Sequence, residues 1–200
     1  NYDCFVAKFS ANGQSLLAST YIGGTGSDGL NNLQPLKYNY ADDHRGEIIV
    51  DANDDVFVAT VTSSNDFPTT PGTIQPASAG GNDGIIFKLS SNLNSLLFSS
   101  YIGGTGNDAA YSLQFSSTGE IFVTGGTTSN DFPTTAGVLN PTVLGNTDGW
   151  LMKINNTATS ILASTYIGTA NDYNQFYFVQ LDTADNVYVV GHTRNGYPIF

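Results

Sequence analysis

Basic residues are scarce: 6 Lys and Arg stand against 17 Asp and Glu in 200 residues, for a net charge of −11. Binding to nucleic acid needs clustered Lys and Arg to neutralise phosphates, and no cluster exists here. Anionic membrane surfaces are disfavoured on the same ground. The one cysteine, Cys4, lies in a strand-like pattern, which predicts a small buried hydrophobe and supplies no disulfide framework. There are two histidines, His44 and His192, and no Cys or Glu near either gives a metal-ligand spacing. No apolar run approaches the roughly 18 residues of a membrane helix, and nothing at the start reads as a signal peptide. No GxSxG elbow marks a nucleophilic serine.

What is abundant is glycine, at 22 residues, and β-forming apolar residues among Asn, Asp, Ser and Thr. That mixture predicts strands and tight turns, hence an all-β fold. The chain also repeats itself. YIGG begins at Tyr21 and Tyr101 and returns as YIGT at Tyr166, at intervals of 80 and 65 residues. DFPTT begins at Asp66 and Asp131, and a decayed copy, Tyr197-Pro198, follows Phe132-Pro133 by 65. The first interval is longer by 15 residues, which fall in an insertion over 30–45. Such an insertion belongs in a loop, because an odd slip within a strand would turn its side chains to the wrong face.

One unit predicts four strands: Tyr111 to Phe115, Ile121 to Thr127, Gly149 to Ile154 and Ile161 to Ile167. Turn residues separate the first two (residues 116–120, matched at 51–55 and 182–186), and a long Thr, Pro and Gly loop separates the next two. The third strand is apolar on both faces: Trp150, Met152 and Ile154 on one, Leu151 on the other, with Phe5, Ala7 and Phe9 or Ile85, Phe87 and Leu89 in the other copies. Sheets made of such strands are covered on both sides, as stacked blades are. The expected fold is therefore a β-propeller of four-stranded antiparallel blades, about 65 residues per repeat. Its expected divisions are a half blade over 1–29, the insertion loop, blades over 46–109 and 110–173, and a half blade over 174–200. Three blades are too few around an axis, where about four to eight is typical. The chain also opens in mid-repeat, so further blades are expected beyond it.

Several patterns compete for chemistry. Residues 24–29 spell GxGxxG, yet no helical period follows to receive a pyrophosphate, and a turn between blades fits better. Asp51, Asn53 and Asp55 have the spacing that opens a calcium loop, but lack its glycine and closing Glu, so a hairpin turn is favoured over calcium. Asp28, Asp108 and Asp172 share one repeat position, and Asp3, Asp83 and Asp148 another. A catalytic carboxylate pair is expected once and not in every blade, so these aspartates are expected to bind turn amides. Lys8, Lys88 and Lys153 also share a position, where a carboxylate partner or strand-end snorkelling is expected. The insertion carries Leu36, Lys37, Tyr38, Tyr40, Asp42, Asp43, His44 and Arg45. It is the one non-repeated loop crowded with aromatic and charged side chains, and loops on rigid scaffolds carry recognition. Tyr38, Tyr40, His44 and Arg45 are its candidate ligand contacts.

The strings DCFVAKFS, DGIIFKLS and DGWLMKIN, followed by LLASTYIGGTGSD or LLFSSYIGGTGND and by SNDFPTT, resemble the SBBP family of bacterial β-propeller repeats over essentially the whole chain outside the insertion. The last copy, from Ile161 to Thr193, is similar to segments of Bacteroidetes surface proteins that carry a gliding-motility-associated carboxy-terminal domain. That resemblance implies export by the type IX secretion system and an extracellular or cell-surface location, with secretion machinery as a partner during export. Asp182-Thr183-Ala184 also resembles the short motif O-glycosylated on such exported proteins, which makes Thr183 a candidate acceptor. The expected function is a non-enzymatic scaffold for adhesion or contact with protein or glycan, with no cofactor and no partner among nucleic acids or membranes. The alternatives are an extracellular polysaccharide-acting enzyme with an axial active site, or a spacer or cargo region of a secretion substrate.

Overall fold

A computed structural model describes residues 1–37, 43–170 and 173–194. The structure is all-β, with twelve strands in four antiparallel sheets. Strands β1 (Cys4–Phe9) and β2 (Leu16–Ile22) form a pair. A four-stranded meander follows: β3 (Glu47–Val50), β4 (Val56–Thr62), β5 (Asp83–Leu89) and β6 (Leu96–Ile102). A second comprises β7 (Asp108–Phe115), β8 (Ile121–Thr127), β9 (Asp148–Ile154) and β10 (Ile161–Ile167). The last pair is β11 (Asn174–Leu181) and β12 (Val187–Thr193). Among the described residues no sheet pairs with another into a closed ring.

Strands 8 and 10 match the sequence expectation, whereas β7 and β9 begin earlier, at Asp108 and Asp148. Both extra starts are aspartates that pair across the sheet, Asp108 with Thr127 and Asp148 with Thr127. Short turns reuse one geometry in every copy. Asp54, Gly119 and Asp185 hold positive φ at one hairpin, and Gly13, Leu93 and Ala158 at another. Only glycine adopts that region freely, so the non-glycine residues carry some local strain.

The sheets stack face to face. One core lies between β3–β6 and β7–β10 and includes Phe57, Ile86, Ile102, Leu113, Val123, Trp150 and Met152. A second lies between β1–β2 and β3–β6, with Val6, Ile22, Ile85, Phe87 and Tyr101. Central strands β5 and β9 are buried on both faces, as their sequences predict. Strand β1 departs from that expectation: Phe5 and Phe9 are exposed, because no sheet covers their side. Cys4 is half-buried.

The two sequence markers are halves of one contact. The Phe67 and Phe132 amides of the DFPTT segments donate to the Tyr101 and Tyr166 hydroxyls, each at 2.9 Å. Those hydroxyls donate to the Ser64 and Ser129 carbonyls at 2.7 and 2.8 Å. Asp66 and Asp131 accept from the Thr25 and Thr105 amides, each at 2.8 Å. Gly24, Gly26, Gly104 and Gly106 sit where a side chain would strike these loops. The GxGxxG of the first copy is thus a turn wedged against the next sheet, with no helix behind it.

Candidate functional site

The repeated carboxylates are consumed by the scaffold. Asp28 accepts from the Gly24 amide at 2.8 Å, the Ser64 hydroxyl at 2.8 Å and the Thr62 hydroxyl. Asp108 accepts from the Gly104 amide at 2.9 Å and the Ser129 hydroxyl at 2.6 Å. In the third copy Asn174, paired with Thr193, holds this position, which corrects the assignment of Asp172 to it. A residue added before β11 shifted the register, and Asp172 itself lies outside the described residues. Asp83 accepts from Ser78 and Ala79, and Asp148 from Leu144 and Gly145. Burial raises the pKa of Asp83 and Asp148, and pushes that of Asp108 up to about 6.

Asp51 accepts the Asn53 and Asp55 amides on one oxygen and pairs with Lys88 at 3.0 Å on the other. Asp55 meets Lys88 at 2.9 Å and accepts from the Ser91 amide. The oxygens that would open a calcium loop therefore serve an ion pair and a turn. Lys153 faces Glu120 at 3.7 Å, and Lys8 donates to the Ser91 carbonyl. Lys88 and Lys153 also lie over Phe57 and Phe122, so the ammonium sits between an anion and a ring face. Among the described residues, no group of three His, Cys, Asp or Glu is placed to hold a metal.

The insertion behaves differently from the repeats. It interrupts the first strand of its sheet at the position where β7 and β11 carry bulges, between Ala110 and Ser112 and between Phe176 and Phe178. A bulge is a natural point of insertion because pairing is already broken there. The bulged residues Tyr111 and Tyr177 stack with centroids 5.4 Å apart, and the insertion's Leu36 is buried with them, Val61 and Ala109. Gln175 donates to the Leu36 carbonyl at 3.0 Å, Asn31 donates to the Tyr111 hydroxyl at 3.0 Å, and that hydroxyl donates to Gln175 at 2.8 Å. Arg45 lies over the Tyr177 ring at 3.7 Å, and the Tyr177 hydroxyl meets His192 Nδ1 at 3.2 Å. Lys37 pairs with Asp43 at 2.8 Å across the base of the loop.

These contacts join the first strands of successive sheets. The Leu113 amide and Ser112 hydroxyl of β7 donate to the Glu47 carboxylate of β3, and the Val179 amide of β11 donates to Ser112. Sequence reading missed Tyr111, Tyr177, Gln175 and Glu47 because each is an ordinary strand residue in isolation. The signal was available in register: Tyr111 and Tyr177 fall beside the place where the first copy gains 15 residues.

Of the predicted contacts, Arg45 stacks on Tyr177, and His44 lines a cavity of about 360 Å³ with Arg45, Glu47, Asp28 and Cys4. Tyr38 and Tyr40 lie outside the described residues. Thr183 sits in the exposed β11–β12 turn. Cys4 is no nucleophile: burial, with Asp28 and Asp3 nearby, pushes its thiol up to about 12. No described helix is long and apolar enough to cross a membrane. No family model matches the chain, and no curated protein matches it.

Proposed function

We propose that the chain is a run of β-propeller blades serving as a non-enzymatic interaction scaffold, with the insertion as its recognition loop for protein or glycan. The observation that carries this reading is the contrast between repeat and insertion. Repeated carboxylates are committed to amides, hydroxyls and lysines, while the non-repeated loop is fastened at its base by Leu36, Gln175 and Arg45. A loop held at its base on packed strands is pre-ordered, which lowers the entropic cost of binding. The side-chain links from Glu47 to Ser112 to Val179 bring three first strands side by side, as strands around a propeller axis would lie. The resemblance to bacterial surface repeats supports an extracellular or cell-surface setting reached through type IX secretion, with glycosylation at Thr183.

The test exchanges residues 37–44 for a Gly/Ser linker, keeps Leu36 and Arg45, and screens both proteins on glycan and surface-protein arrays. Binding by the native chain that is lost on exchange, with the unfolding midpoint nearly unchanged, is the expected result. Equal binding by both, or release of reducing ends from polysaccharide, would overturn the reading.

A further inference from the structure

The large exposed apolar side chains concentrate on the two end pairs, at positions that are buried in the complete sheets. Tyr21 is 79% exposed, whereas its counterparts Tyr101 and Tyr166 are each 1% exposed. Phe5 and Phe9 are exposed where Ile85, Leu89, Trp150 and Ile154 are buried. Tyr188 and Val190 of β12 are exposed where Phe122 and Thr124 of β8 are buried. Ile48 and Val50 of β3 are exposed where Leu113 of β7 is buried. Leu17, Leu97 and Leu162 provide the contrast, being exposed in all three copies and therefore ordinary surface residues.

The end pairs are complementary halves of one sheet. By register, β11 and β12 are first and second strands, and β1 and β2 are third and fourth. Each has a free edge among the described residues, on β12 and on β1. We propose that two copies of this chain exchange these edges, β12 of one pairing with β1 of the other at both junctions. Four intact and two composite sheets then close around one axis. The proposal rests on the propeller reading given above. A single chain closing on itself would have three blades, below the roughly four to eight that propellers use.

The register follows from β8 with β9, where Thr127 opposes Asp148 and Ile121 opposes Ile154. Transferred to the junction, Thr193 opposes Asp3, Val190 opposes Val6 and Val187 opposes Phe9. Tyr188 then lies beside Lys8, as Phe122 does beside Lys153 and Phe57 beside Lys88. The charges also match. Asp182 accepts the amides of Ala184 and Asn186 just as Asp51 accepts those of Asn53 and Asp55. Where Asp51 meets Lys88 with its second oxygen, Asp182 meets only the Asn186 amide group and Tyr188 hydroxyl. Lys8 of the second copy supplies the missing cation. Along the free edge of β1 run two cavities of about 360 and 350 Å³, lined by Val6, Ile48, Val50, Val56 and Val58. They are the seats for Val190 and Tyr188.

The experiment measures the mass of the 200-residue chain by sedimentation and light scattering over a range of concentrations, with β content followed by circular dichroism. Twice the single-chain mass is expected. Val190→Asp, at a residue exposed in the single chain, should give the single mass with unchanged β signal. Lys8→Glu and Asp182→Lys should each weaken association at least tenfold, and the double variant should restore it. A single-chain mass at every concentration with amides of β3 to β10 protected from exchange would overturn the pairing and leave the blade reading standing. A mass rising beyond two chains would overturn the closed pair. Loss of the β signal in the native chain would overturn both readings.

Discussion

Tyr166 ties the loop before Phe132 to its own strand: its hydroxyl accepts the Phe132 amide at 2.9 Å and donates to Ser129 at 2.8 Å. Tyr101 makes the same pair of bonds to Phe67 and Ser64. Removing either hydroxyl leaves a buried amide and carbonyl without a partner, at a cost of about 1–3 kcal/mol. Tyr101→Phe and Tyr166→Phe should each destabilise by that amount in urea unfolding. Tyr21→Phe, at the exposed equivalent, should change stability by less than about 0.5 kcal/mol in the isolated chain.

Gly125 and Gly191 mark the bulges. A Cβ on either would overlap the Ala109 or Gln175 carbonyl oxygen, respectively, on the paired first strand. The first copy, where the insertion replaces the bulge, carries Thr60 at this place, with its hydroxyl donating to the Arg45 carbonyl. Gly125→Ala should therefore cost about 4 kcal/mol or more, measured as the loss of the cooperative thermal transition.

Asp108 sets a pH dependence. Its folded pKa of about 6 lies above the ordinary 3.8, so the folded state holds more protons between those values. Stability from this group is present below pH 4 and is lost as pH rises through 6. Asp66 and Asp131, held low first by the Thr25 and Thr105 amides, act in the opposite sense and lose their contribution as pH falls below 3.8. Asp108→Asn, which copies Asn174, should flatten the decline between pH 4 and 6 in midpoints measured at fixed ionic strength.

Lys88 bridges Asp51 and Asp55 at 3.0 and 2.9 Å with little exposure, whereas Lys153 reaches Glu120 at 3.7 Å in a more open setting. Removing Lys88 leaves two carboxylates facing each other. Lys88→Ala should cost about 1–2 kcal/mol and Lys153→Ala about 0–1 kcal/mol. Double-mutant cycles with Asp55→Asn and Glu120→Gln separate the pairwise part.

Strand order and the two-sided burial of β5 and β9 were legible because alternation and turn chemistry are local, and repetition allowed one copy to check another. The shift from Asp172 to Asn174 was not legible, since a motif match cannot see a residue added before a strand. Nor were the anchors of the insertion. Gln175, Tyr111 and Tyr177 acquire their role only where β11 and β7 meet Leu36, which lies 139 residues from Gln175 in the chain. The exposure of Phe5, Tyr21 and Tyr188 was hidden for the converse reason: each has the sequence of a buried position, and the structure leaves it uncovered.

The claim that the repeated aspartates are scaffold and not catalytic groups is tested most directly by comparing Asp28→Ala and Asp108→Ala. Unfolding in urea and hydrolysis of a polysaccharide panel should be read on both variants. Each removes a buried acceptor that serves an amide and a serine hydroxyl, so both should lose about 1–3 kcal/mol, with no cleavage in any variant or the parent. Cleavage by the parent that one substitution abolishes, while leaving the unfolding curve in place, would contradict the account.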